Sequence, residues 1–212
     1  MLTLPKEKIA QDANFPFGGY VLRPLAMRVA PYIRLSANKV TWIGLVVGLL
    51  GLAGLCSGKY WIMIIGAFMV NLNLFIDHID GPIARTTGTT SLHGQWLDGF
   101  SGYVVEMGVP VSVGIGLVGE NVLFVVLGLC VALVRCFSRL ASAYHQRVFG
   151  EGIISAGKQP RIYRFGLLFL SIEYPMLLIF IIAGIPDGYL TLFLLAALGE
   201  LGVICLKSYN RR

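Results

Sequence analysis

Charge is what this chain has least of. Charged residues make up 13% of its 212 positions and hydrophobic ones 56%, with a mean hydropathy of +0.76. A soluble domain usually carries about 25% charged residues, so that class is excluded. Cysteine is sparse too. The four present, Cys56, Cys130, Cys136 and Cys205, show no CxxC spacing, which excludes a disulfide framework and a zinc finger. All four fall in apolar stretches and are expected to be small packing residues. No long linker divides the chain and no internal repeat stands out, so residues 1–212 are expected to form a single membrane domain. A long basic run and an RNA-binding signature are also missing, so the pI near 9.3 does not point to nucleic acid. Basic residues beside an anionic lipid leaflet account for it.

What is present is a series of apolar runs. A helix needs about 20 apolar residues to cross a bilayer. Six runs qualify, at about 40–58, 60–83, 95–118, 121–146, 165–185 and 188–207, giving an all-α integral membrane protein of six transmembrane helices. Lysine and arginine orient it. Sixteen of the 17 fall before the first run, after the second, in the region from Arg135 to Arg164, or at the C-terminal end; Lys59 is the exception. Both termini are therefore expected in the cytoplasm, with the bacterial inner membrane the expected location. Residues 13–35 mix Arg23, Arg28 and Arg34 with Leu22, Leu25, Met27, Val29 and Ile33, and Pro24 and Pro31 break the stretch. That pattern suits an interfacial amphipathic segment. Gly44, Gly48, Gly51 and Gly54 recur every three or four residues. Such a face suits close helix contact, within the chain or between two copies, and a homodimer is expected.

Against this background the acidic residues at the end of the second run stand out. Asp77-His78-Ile79-Asp80-Gly81-Pro82-Ile83-Ala84-Arg85 is followed by Gly94 and Asp98. A carboxylate at membrane depth is costly unless it is paired or metal-bound. Asp77 and Asp80 are three residues apart and share a helix face. With Asp98 they form an oxygen donor set suited to Mg²⁺ or Mn²⁺, as one or two ions, with room for a phosphate-bearing substrate. Pro82 predicts a kink or helix end directly after the second aspartate.

The order Asp, two residues, Asp-Gly, two, Ala-Arg, eight, Gly, three, Asp resembles the CDP-alcohol phosphotransferases (CDP-alcohol phosphatidyltransferases). Ala37-Asn38-Lys39-Val40-Thr41 is similar to that family's Pro-Asn-x-x-Thr entry to the first span, with Ala37 at the proline position. The resemblance implies a metal-dependent membrane enzyme of phospholipid head-group synthesis. Its donor would be a CDP-alcohol, either CDP-diacylglycerol or a soluble one, and CMP would leave. It implies catalytic and metal-binding roles for Asp77, Asp80 and Asp98, with Asn38, Thr41, Asp77, Gly81, Ala84, Arg85 and Gly94 around the nucleotide. The family pattern ends in a fourth Asp, thought to be the general base, and here that position is Gly102.

Arg135, Arg139, Lys158 and Arg161 form a second basic group. In family members with a phosphate-bearing acceptor this region supplies the anion pocket, so an anionic acceptor is expected; charge pairing with Glu106 or Glu173 is the alternative. Glu106 would lie about 12 Å along a helix from Asp98 and about 80° round, a poor stand-in for the absent Asp. His78 and His93 could each accept a proton. An acceptor that is already an anion, such as a phosphate or phosphonate, would need no base. A non-catalytic or transport protein with a divalent-metal site is the rival from another class, distinguishable by whether CMP stabilises it.

Overall fold

The computed structural model describes residues 17–150 and 171–209, and the regular structure among them is helical. A π-helical turn, Phe17–Leu22, leads into α1 (Arg23–Val29) and a 3-10 turn, Ala30–Tyr32. Both helical pieces carry a proline in their first turn, where its missing N–H costs nothing. Leu22, Ala26 and Ala30, four residues apart, are buried, whereas Val21, Leu25, Val29 and Tyr32 are exposed. The small inner face packs against Val40, Ile79 and Ile83, so this segment lies across the end of the bundle that carries the acidic motif.

Helices α2 (Ala37–Cys56) and α3 (Tyr60–Thr86) then cross almost backbone to backbone. A Cβ on Gly51 would come within 2.9 Å of the Gly66 carbonyl oxygen, and one on Gly54 equally near the Gly66 Cα. The glycine face read from the sequence is thus an internal contact. Asn73, buried in the same seam, donates to the Gly44 carbonyl at 2.9 Å, which satisfies an amide that would otherwise be costly there. Gly58, with φ of 65°, makes the turn between the two helices against the Gly116 carbonyl, a position closed to any side chain.

Ser91 opens α4 (Leu92–Gly116) by accepting from the Gly94 amide at 3.0 Å. Helix α5 (Leu123–Phe149) ends on Gly150 in the left-handed conformation, φ 72°. Then come α6 (Glu173–Ile182) and α7 (Pro186–Tyr209). Neighbour contacts run α2 to α3, α3 to α6, α6 to α7, α7 to α5, α5 to α4 and α4 back to α2, a closed ring. Its apolar interior is built on residues such as Leu55, Val70, Val109, Leu177 and Phe193.

Among the described residues four helices, α2, α3, α5 and α7, are long and apolar enough to cross a membrane. They match the runs expected at 40–58, 60–83, 121–146 and 188–207 to within a few residues. The run at 95–118 appears as α4, 25 residues long but less apolar because it carries six glycines, Asp98 and Glu106. The run at 165–185 is described only from residue 171, as α6. Of the two alternatives expected at Pro82, the helix end is not the one found, since α3 continues to Thr86. The last turn is held by hydroxyls: Thr86 donates to the Pro82 or Ile83 carbonyl (3.0 and 2.9 Å) and Thr87 to Ile83 at 2.8 Å. Near a helix end the proline removes a single ladder bond, and these contacts offset it. The four cysteines are free thiols, exposed or half-buried.

Candidate active site

The acidic motif sits where α2, α3 and α4 meet. Asp80 is 6% exposed, and its Oδ2 lies 2.6 Å from the Thr41 hydroxyl of α2, which donates to it. A charge-assisted bond of this kind fixes one carboxylate oxygen and leaves the other to a ligand. The connection between α3 and α4 turns at Gly88, φ 64°, and returns the chain so that Asp98 comes close to Asp77. Asp80 acts electrostatically on the same pair. Asn38 completes the link between the two sequence motifs. Its Oδ1 lies 3.0 Å from where a Cβ on Gly94 would stand, so a larger residue there would push Asn38 back.

The remaining motif positions line up along α3. Arg85 folds back over Gly81, with Nη1 3.2 Å from a Cβ placed there. Ala84 is half-buried and packs against the N-terminal cluster. His78 uses Nδ1 to donate to the Leu74 carbonyl at 2.8 Å, while its Nε2 faces Gly18, where a Cβ would be only 2.9 Å away. The N-terminal turn therefore closes on the residue next to Asp77. The Gly18-Gly19 pair was the available sequence signal for this contact.

Helix α4 presents two opposite faces. Gly94, Asp98, Gly102 and Glu106 recur at intervals of four and share one face. A Cβ at Gly102 would meet nothing within 4 Å, so the turn between Asp98 and Glu106 is open. The other face carries exposed Trp96, Phe100 and Tyr103, with His93, Trp96 and Phe100 stacked in succession. His93 is thus on the side away from the aspartates.

Deeper in the bundle, Arg135 of α5 is 5% exposed and pairs with carboxylates from three other helices. These are Glu106 of α4, Glu173 of α6 at 2.8 Å and Glu200 of α7 at 3.5 Å. Arg139 grips Glu106 through both carboxylate oxygens, at 2.9 and 3.0 Å, and keeps 41% of its side chain exposed. Tyr189 donates to Glu173 at 3.1 Å. Pairing with Glu106 and Glu173, the alternative read from the sequence, is therefore present; Glu200 and Tyr189 were missed, being far away in the chain. Arg135 Nε and the buried Ser138 hydroxyl find no partner among the described residues. Lys158 and Arg161 lie outside the described residues.

Three carboxylates, two of them close together, fit a hard divalent cation by their oxygen chemistry, because opposite charge relieves their repulsion. Among the described residues no three acidic, histidine or cysteine side chains yet converge as a finished coordination shell. Asp80 remains turned to Thr41.

Comparison with known proteins bears on the fold and the family. The fold is similar to solved structures of a Mycobacterium tuberculosis phosphatidylinositol phosphate synthase. The form with CDP-DAG bound is 16% identical, with a TM-score of 0.64 over 90% of this chain and 94% of that one. The form in complex with manganese and citrate is 18% identical, with a TM-score of 0.62 over 90% and 88%. No curated protein matches by sequence. The family model for CDP-alcohol phosphatidyltransferases matches residues 34–199, from just before Asn38 and Thr41 through the aspartates to the end of the arginine cluster, and the chain belongs to that family.

Proposed function

We propose that this protein is a membrane transferase that moves a substituted phosphate group from a CDP-alcohol to an anionic acceptor and releases CMP. The observation that carries the reading is the gathering of Thr41, Asp80, Asp77 and Asp98 at one end of the bundle, with Asn38 against Gly94. Asp77, Asp80 and Asp98 would hold Mg²⁺ or Mn²⁺, as one or two ions. The bound cation would neutralise diphosphate charge and stabilise the leaving CMP. The chain's own groups orient the nucleotide. Thr41 keeps Asp80 in place, Gly81 and Gly94 allow the backbone to approach, and Arg85 offers its guanidinium beside Gly81. Asn38 and Ala84 complete the pocket wall. The donor is CDP-diacylglycerol or a soluble CDP-alcohol.

The acceptor's charge is met by Arg139, Lys158 and Arg161. Arg135 belongs to the same site by fixing Glu106 and through it Arg139. Residues 1–212 act as one membrane domain of six spans, with residues 13–35 on the interface. Both termini and the aspartates face the cytoplasm of a bacterial inner membrane. The protein works as a homodimer. Outward-facing Val21, Leu25, Val29 and Tyr32 on the N-terminal segment support the interfacial placement.

The deciding experiment is CMP release by the purified protein across a panel of CDP-alcohols with Mn²⁺ or Mg²⁺. Asp80→Asn is expected to abolish that release together with metal-dependent thermal stabilisation. Persistence of both would remove the aspartates from the site.

A further inference from the structure

Around the open turn at Gly102, each described carboxylate is already engaged. Asp80 accepts from Thr41, and Asp77 and Asp98, close together, are the groups the divalent cation would take up. Glu106 accepts from Arg135 and bidentately from Arg139. The histidines offer no substitute. His78 donates through Nδ1 to the Leu74 carbonyl, and its accepting nitrogen, Nε2, is covered by Gly18, where even a Cβ would stand only 2.9 Å away. His93 stacks on Trp96, nine residues before Gly102, which on a helix is the opposite face and about 13 Å away. A neutral hydroxyl bound here would find no free side chain among the described residues to take its proton. An anion would find a different environment: an open turn with no side chain at Gly102, and the half-exposed Arg139 held by Glu106.

We infer that the attacking atom of the acceptor is an ionised oxygen of a phosphate or phosphonate group, seated between Asp98 and Arg139 in the space that Gly102 leaves open. This rests on the transferase reading above. The oxyanion forms a bond to the phosphorus that carries the donor's alcohol. The bond from that phosphorus to the bridging oxygen breaks, and its electron pair leaves with CMP. No proton is released and the product is an anhydride, whereas a hydroxyl acceptor would give an ester and one proton. Glycine at position 102 is then a specificity determinant, since a carboxylate there would repel the acceptor.

The test uses the full chain with Mn²⁺, and CDP-diacylglycerol or CDP-ethanolamine as donor. Acceptors are methylphosphonate, which has no alcohol hydroxyl, and glycerol. CMP-dependent thermal stabilisation is measured first; its absence would defeat the transferase reading itself. Given stabilisation, methylphosphonate is expected to support CMP release at least about tenfold faster than glycerol, since an ionised nucleophile avoids the 10²–10⁴-fold cost of a missing base. A pH indicator under weak buffering, at a pH alkaline enough for methylphosphonate to be a dianion, should register no proton per CMP. Gly102→Asp, which the open space accommodates, should keep CMP stabilisation and lose most methylphosphonate turnover, with the neutral Gly102→Asn retaining more. Faster release with glycerol, no release with methylphosphonate, one proton per CMP, or methylphosphonate turnover unchanged in Gly102→Asp would each overturn the inference.

Discussion

Replacing Arg135 by Met tests whether the buried ion cluster holds the bundle together. Methionine fills much of the same volume without charge, so the effect isolates electrostatics. The three glutamates would not suffer equally. Glu106 keeps the two bonds from Arg139, and Glu200 is the most loosely held, at 3.5 Å and 13% exposed. Among the described residues Glu173 loses its one short ion pair, at 6% exposure, and keeps the Tyr189 hydroxyl. The loss therefore approximates one uncompensated buried charge, about 3–5 kcal/mol. For a chain of this size that corresponds to a fall in Tm of roughly 6–20 °C. The assay is thermal unfolding of the detergent-solubilised protein followed by intrinsic fluorescence. Arg135→Met combined with Glu173→Gln should recover a substantial part of the loss, because the orphaned charge goes with its partner. A single-variant loss below about 1 kcal/mol, or strict additivity in the double variant, would refute the argument.

Thr41→Val removes the donor that fixes Asp80 and should weaken Mn²⁺-dependent stabilisation about tenfold or more, a hydrogen bond to a charged group being worth about 1.5–3 kcal/mol; a titration of Tm against Mn²⁺ measures it. Gly66→Val should force α2 and α3 apart, since even a Cβ there meets the Leu55 amide nitrogen at 2.8 Å; the expected loss of about 1–3 kcal/mol or more is read by thermal unfolding. Arg139→Ala should raise the acceptor KM far more than the donor KM in steady-state assays, and equal effects would assign the arginine to structure alone.

The aspartates were legible because their spacing, three apart on one helix and then past a short turn, is local information that α3 and α4 preserve. The same holds for the glycine face of α2, although only the structure shows that Gly66 is its counterpart. At Pro82 the missing N–H was legible, but whether the helix stopped there depended on which bonds the threonine hydroxyls of the next turn make. The arginine cluster was half legible. Glu106 and Glu173 could be named as partners from burial cost alone, but Glu200 lies 65 residues beyond Arg135, and no local pattern reports that the two helices abut. Gly102 was conspicuous as a departure from the motif. That its surroundings are open depends on how α4 packs, which no spacing encodes.

The hub at Arg135 also bears on how the chain enters the bilayer. Glu106 leads the two arginines by about a helical hairpin, so α4 and α5 can insert with most of their charge already matched inside the pair. Glu200 is synthesised 65 residues after Arg135, an interval of about 3–13 s at ordinary elongation rates. During that wait the buried cluster consists of two arginines against one glutamate. The helices that bring Glu173 and Glu200 are thus drawn to a preformed positive socket. The last spans find their place by charge as well as by shape.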